Sequence, residues 1–215
     1  MKYILMDLDG TITDPAEGIT RCFEYALNHF GIEVENRAEL EQFIGPPLKT
    51  SFMEGYGFDE EKAEQAVAKY RERFVPTGMY ENEVYDGMEQ ALQSLKKAGK
   101  VLIVATSKPE HMAKKILAHF HLDSYFEDIC GSCDDAKRNE KDEVIRYAME
   151  KHNITDLSDV LMVGDRKFDV IGAKKCGLSC MGVLYGFGDR EELSGAGAAY
   201  IAKTVEDMAQ MILSL

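Results

Sequence analysis

The chain has 215 residues, 45% of them apolar, with 38 acidic against 25 basic side chains and a formal net charge of −13. That apolar share supports a buried core and excludes disordered and fibrous classes, and no run approaches the roughly 20 apolar residues of a membrane helix. The negative balance argues against nonspecific nucleic-acid binding, although a metal and a lysine in one site can still invert the local field for an anionic substrate.

Residues 2–6 form a short apolar run that ends at Asp7, too early for a secretory signal and suited to a strand covered on both faces. Ile19, Phe23, Ala26, Leu27 and Phe30 then recur at helical spacing until Gly31. Asn36-Arg-Ala-Glu39 has the pattern of a capping box ahead of Gly45-Pro46-Pro47. Asp59 can cap a further helix that carries Ala63, Ala66, Val67, Tyr70 and Phe74. A helical interval this long exceeds what a connection between strand and helix needs. Residues 16–81 are therefore expected to be an inserted all-α domain, lying over the carboxyl ends of strands built from residues 1–15 and 82–215, where open sheets bind ligands.

The rest alternates. A helix is expected over 87–98, ending at Gly99, and a strand over 101–105. Residues 109–120 carry Met112, Ile116, Leu117 and Phe120 on one helical stripe, and 126–130 read as a strand. A helix over 141–152, strands at 160–163, 180–184 and 199–202, and a helix over 204–213 capped by Thr204 complete the chain. Short apolar strands alternating with helices predict an α/β fold with a Rossmann-like parallel sheet.

Cys22, Cys130, Cys133, Cys176 and Cys180 are odd in number and follow no signal sequence, so reduced thiols in the cytoplasm are expected. Cys130-Gly-Ser-Cys133 has redox or zinc-ligand spacing, but it follows a strand instead of opening a helix. Cys176 and Cys180 are too loosely spaced to make the second half of a zinc site. His119 and His121 lie at a helix end, and the eleven methionines suit packing; none of these suggests a ligand set.

The chemistry lies at the strand ends. Asp7-Leu-Asp9-Gly10-Thr11 places two acids where the first strand runs into a glycine turn. Alone this is compatible with an Asx-capped turn, because two buried carboxylates repel unless a cation or shared proton offsets them. Residues 160–163 lead into Gly164-Asp165, with Asp169 about one helical turn later. Two strands delivering acids to one sheet edge suit a hard cation with oxygen ligands, magnesium above all. Between them, Thr106-Ser107-Lys108-Pro109 follows a third strand as a hydroxyl opening a helix, a ready cradle for phosphate.

These residues together resemble the haloacid dehalogenase-like superfamily, in the phosphoglycolate phosphatase-like subgroup with a helical cap after the first motif. The resemblance spans essentially the whole chain. D-x-D-G-T stands at Asp7 to Thr11, the second motif at Thr106, and G-D-x-x-x-D at Gly164 to Asp169. The third motif is a lysine of less fixed position; Lys141 lies 24 residues before Asp165, with Lys137 and Arg138 as neighbours. Tyr185-Gly-Phe-Gly188 and the segment through Ala198 are also similar to that subgroup. The resemblance implies that Asp7 is the nucleophile forming an aspartyl-phosphate and Asp9 the general acid and base. It further implies that Thr106 and the Ser107 amide hold phosphoryl oxygens and that Lys141 neutralises charge. Mg2+ would be held by Asp7, the Asp9 carbonyl, Asp165 and Asp169. An acid at position 9 points away from the dehalogenases and phosphonate hydrolases of the superfamily.

The resemblance assigns specificity to the cap. Ile44-Gly45-Pro46-Pro47-Leu48 is similar to a specificity loop, although the same residues make a rigid turn. Arg21 and Lys49 are its candidate cations for substrate binding, while Phe52, Tyr56 and Phe58 suit either a stacking surface or the cap's own core. The expected activity is magnesium-dependent hydrolysis of a small phosphate monoester, phosphoglycolate or a nucleoside 5′-monophosphate, by a cytoplasmic monomer or weak homodimer with no nucleic-acid or membrane partner. The alternatives are a phosphoglucomutase-like phosphotransferase, a non-catalytic member of the fold that binds a partner, and a receiver domain. The last is disfavoured by acids on strand one and by the insertion.

Overall fold

The computed structural model describes residues 1–133 and 138–215. The chain divides into two compact units, one made of Met1–Thr13 and Val84–Leu215 and the other of Asp14–Glu83.

The larger unit is built on six parallel strands: β1 (Tyr3–Met6), β4 (Val101–Pro109), β5 (Asp128–Ser132), β6 (Val160–Gly164), β7 (Ser179–Val183) and β8 (Tyr200–Ala202). Short strands β2 (Thr13–Asp14) and β3 (Glu83–Val84) form a separate ribbon where the chain leaves and re-enters this unit. The sheet runs β5-β4-β1-β6-β7-β8. Burial on both faces explains why the strands read as continuous apolar runs with no alternation. Leu5, Ile103, Met162 and Cys180 join Val144, Ile145, Ala148, Val170 and Ala173 in one core cluster. Those partners come from α6 (Lys141–Lys151) and α7 (Lys167–Lys175), which pack together. Ile4, Met6, Leu102 and Val104, next to them in the strands, are also fully or nearly fully buried. Alternation turns these to the opposite face, in keeping with α4 (Met88–Lys97) and α9 (Val205–Ser214) packing on each other outside that cluster. α5 (Glu110–His119) follows β4, and α8 (Arg190–Ala196) precedes β8.

The strand order reverses around β1. Successive strands go from β1 outward to β4 and β5, then cross to β6 on its other side. At such a switch point the carboxyl ends of adjacent strands diverge and leave a crevice, here between the ends of β4, β1 and β6.

The predicted strands all form. Their boundaries lie within one residue of those expected except in two strands. The strand expected over 126–130 starts at Asp128, because a 3-10 turn at Asp123–Tyr125 precedes it. β4 continues to Pro109, so Thr106 lies within the strand and α5 opens only at Glu110; the hydroxyl does not open a helix as the sequence suggested.

The smaller unit contains α1 (Ala16–His29), α2 (Leu48–Tyr56) and α3 (Glu60–Phe74), with a 3-10 helix at Arg37–Phe43. Asn36 caps that 3-10 helix by accepting from the Ala38 amide at 3.2 Å, and Asp59 caps α3 through the Lys62 amide at 2.8 Å. Phe23 packs its ring on Phe43, Phe52 and Tyr70, and Phe58 on Phe30, Phe52 and Tyr56. The aromatic residues thus form this unit's own core.

Candidate active site

Asp7 follows the last residue of β1, and its backbone amide donates to Val163 O on β6 at 2.9 Å. The two strands are locked together at the point where both release their acids. Asp165 follows β6, and Asp169 sits three residues into the helical turn after Arg166, whose amide it accepts at 3.1 Å. Carboxylate oxygens of Asp7, Asp165 and Asp169 all lie within 4.8 Å of one another, and all three residues are buried. They are drawn together from positions 158 and 162 residues apart, Asp7 and Asp165 by the register of β1 and β6 and Asp169 by the first turn of α7.

Lys141, the first residue of α6, supplies the counter-charge. Its ammonium lies 2.9 Å from Asp7 Oδ1 and 2.8 Å from Asp169 Oδ1, and donates to Ala105 O at 3.1 Å. Burial alone would lower its pKa, but Asp169 and Asp7 outweigh that and hold it above the ordinary lysine value. Glu140 and Glu143 close a capping box around the start of α6, which fixes where the side chain begins. Arg138 is turned elsewhere, donating to Gly131 O at 2.7 Å and pairing with Glu110. Lys137, the other alternative for this role, lies outside the described residues.

One ammonium among three carboxylates leaves the cluster negative. Burial, with Asp169 and Asp7 nearby, pushes the Asp165 carboxyl well above its ordinary value. Burial also raises Asp169, to about 6, against the lowering effect of Lys141. Asp165 Oδ2 accepts from the Phe187 amide at 2.8 Å, while its buried Oδ1 has no hydrogen-bond donor among the described residues. An all-oxygen set with an unsatisfied buried carboxylate oxygen suits a hard divalent cation, which takes oxygen ligands and relieves the repulsion.

Backbone glycines give the acids room. Gly10 has φ +77°, and a Cβ there would collide with the Asp165 carboxylate. At Gly186 a Cβ would meet Gly10 O and Asp165. The segment Tyr185–Gly188, singled out in the sequence only by resemblance, therefore wraps Asp165 and donates the Phe187 amide to it.

Asp9 lies two residues beyond Asp7, and its Oδ2 is 2.7 Å from Lys108 Nζ. Burial raises the Asp9 carboxyl, with Lys108 working in the opposite direction. In the sequence Lys108 stands only as part of the segment after Thr106; the signal that marks it is a lysine two residues past the hydroxyl at a strand end. Thr106 is buried, and its Oγ1 accepts from the Lys108 amide at 3.2 Å; Ser107 is half-buried beside it.

The remaining candidates, Arg21, Gly45, Pro46 and Lys49, belong to the helical unit. Arg21 pairs with Glu17 and with Glu81, the latter at 3.0 Å. Lys49 pairs with Glu60 at 2.7 Å and Glu64 at 2.9 Å. Both cations are engaged within their own unit. Gly45, at φ +107°, and Pro46 form the turn leading into α2.

Residues 4–183 match the family model of the haloacid dehalogenase-like hydrolases. A 5′-nucleotidase of Pseudomonas aeruginosa is 46% identical over 211 residues, covering 98% of this chain and 95% of that protein. A solved structure described as a predicted phosphatase from Clostridium acetobutylicum superposes with a TM-score of 0.97 at 55% identity, over 100% of this chain and 99% of that one. The tyrosine-protein kinase PtkA of Mycobacterium tuberculosis is 35% identical over 98% of this chain and 72% of its own length.

Proposed function

The chain belongs to the haloacid dehalogenase-like hydrolases, and from that premise we propose that it is a magnesium-dependent phosphatase of small phosphate monoesters, nucleoside 5′-monophosphates first among them. The observation that carries this reading is the buried cluster of Asp7, Asp165 and Asp169 around Lys141, with Asp9 two residues from Asp7. Its similarity to the 5′-nucleotidase supports the choice of substrate, and phosphoglycolate is the second class to try.

Asp7 is the nucleophile. Its carboxylate attacks phosphorus in line and forms an aspartyl-phosphate, while the ester oxygen departs with a proton from Asp9. Asp9 then takes a proton from the water that cleaves the intermediate, and Asp7 is regenerated. Lys141, 2.9 Å from Asp7 Oδ1, orients that carboxyl group and offsets the negative charge that a phosphate dianion brings. Thr106 and the Ser107 amide accommodate phosphoryl oxygens at the end of β4. A magnesium ion held by the Asp7, Asp165 and Asp169 carboxylates, together with the Asp9 carbonyl, would supply charge neutralisation and fix the phosphoryl group.

Phosphate release from a panel of monoesters, with magnesium and with chelator, tests the reading. The expected result is magnesium-dependent release concentrated on nucleoside 5′-monophosphates. Folded protein that releases phosphate from none of the esters would refute it. A second reading, transfer of the phosphoryl group to an acceptor other than water, is favoured by the relative named a tyrosine-protein kinase. It predicts label on an added tyrosine peptide or sugar phosphate in place of free phosphate.

A further inference from the structure

Lys108 has no part in the reaction as set out above, yet it is only 9% exposed. Removing an ammonium from water costs several kcal/mol unless a partner compensates, and the Asp9 carboxylate at 2.7 Å is such a partner. The register between β4 and β5 shifts at this point. Ala105 pairs with Cys130, but the next matched pair is Pro109 with Ser132, so three residues of β4 stand opposite Gly131 alone. This bulge carries Thr106, Ser107 and Lys108, and the Thr106 hydroxyl closes it by accepting the Lys108 amide. Gly131 lets β5 press against it, because a Cβ there would lie 2.5 Å from Lys108 O and 2.6 Å from Glu110 Cα. Bulges next to active sites re-aim side chains in this way. On the other partner, Asp9 Oδ2 faces Lys108, while the buried Oδ1 accepts no hydrogen bond among the described residues.

We propose that Lys108 is a positioning residue: it grips Oδ2 of Asp9 so that Oδ1 is the oxygen that gives its proton to the leaving group. The inference rests on the phosphatase reading above. In the step concerned, an Asp7 oxygen forms a bond to phosphorus as the ester P–O bond breaks. The electron pair of that bond stays on the departing oxygen, which takes the proton from Asp9 Oδ1. The attacking and leaving groups balance, and Lys108 exchanges nothing. Its contribution is to keep the acid within reach, and it matters in proportion to how badly the leaving oxygen needs a proton.

That dependence is the test. Lys108→Ala is compared with wild type by kcat/KM on a nucleoside 5′-monophosphate, which leaves as an alkoxide, and on p-nitrophenyl phosphate, which leaves as a stable phenolate. Because kcat/KM reports steps through the first P–O cleavage, hydrolysis of the intermediate does not obscure the comparison. The expected loss is about 100-fold or more on the alkyl ester and under about tenfold on the aryl ester, in line with what a general acid contributes. An equal loss on both esters would overturn the proposal, since a lysine that binds the phosphoryl group or merely supports the fold acts on both alike. No loss on either would overturn it too. Should Lys108→Ala fail to fold, Lys108→Met keeps the buried stem and is read by the same two ratios. Wild-type protein inert on both esters would bring down this proposal together with the phosphatase reading, whereas an active wild type with a uniform loss brings down this one alone.

Discussion

At the scale of single residues, the site carries a deficit of positive charge. Asp7, Asp165 and Asp169 share one ammonium, and Asp165 and Asp169 are raised by burial first and then by the neighbouring carboxylates, whose repulsion Lys141 only partly relieves. Asp7→Asn keeps the size of the side chain and removes the proposed nucleophile, so turnover should fall below detection while the melting temperature stays close to wild type. Residual activity above about a tenth of wild type would remove Asp7 from that role. Lys141→Met acts on both rate and fold. It leaves Asp7 and Asp169 without their buried counter-charge, a change that typically costs about 3–5 kcal/mol. Loss of stability in chelator that added magnesium partly restores is the expected pattern, and a variant as stable as wild type in chelator would show that Lys141 does not offset the acids.

At the scale of elements, strand register does most of the positioning, and caps and side-chain staples fix the ends. One staple joins β5 to the end of α6. Asp128, at the start of the strand, accepts from Lys151 at 2.7 Å and from its own neighbour Ile129 N at 2.9 Å, and lies 2.9 Å from His152 Nε2. Burial would raise the Asp128 carboxyl, but these partners outweigh it and hold it at about 2. A folded-state pKa below the unfolded value stabilises the protein above about pH 4 and loses that contribution as pH falls towards 2. The Lys151 side chain is 40% exposed, so screening reduces the effect to about 1–2 kcal/mol. Asp128→Asn should therefore be less stable than wild type by about that amount at pH 6, with the gap closing by pH 2. A gap that does not change with pH would mean that packing, not charge, makes the staple. In the helical unit, Asp59→Ala removes the cap on α3 and should cost about 1 kcal/mol in denaturant melts, and no loss would mean that packing alone fixes the start of α3.

At the scale of the whole molecule, a chain with a net charge of −13 concentrates three buried acids at one sheet edge, and on the proposed reading a cation binds them as part of the folding equilibrium. A carboxyl whose pKa is raised in the folded state gives up its proton more readily in the unfolded chain. The metal-free protein therefore loses stability as pH rises from about 4 through the value of about 6 at Asp169. A bound dication reverses this, and at a hundredfold excess over Kd contributes about 2.7 kcal/mol, or ~5 °C or more for a chain of this size. Magnesium should accordingly raise the melting temperature more at pH 7 than at pH 5, and much less in Asp165→Asn. An equal rise in the variant would place the ion elsewhere.

Much of this was legible in the sequence, for reasons that can be given residue by residue. The six apolar runs are short and continuous because each strand is covered on both faces, and Asp7, Thr106 and Asp165 follow or end such runs, so the sheet edge that gathers the acids could be read directly. The helical stripe of α1 and the Asp59 cap of α3 were equally local. What needed tertiary structure depends on contacts distant in the sequence. That Lys141 reaches both Asp7 and Asp169 follows from how α6 packs beside α7 on the sheet. The bulge that extends β4 past Thr106 needs Gly131 on the neighbouring strand, where a Cβ would collide with Lys108 O and Glu110. The pairing of Arg21 and Lys49 with acids of their own unit was hidden for the same reason, since a cation's partner is chosen by the fold. Periodicity and strand-end chemistry are properties of neighbouring residues and are written in the chain, whereas the partner of each buried charge is set by which distant segments the packed core brings together.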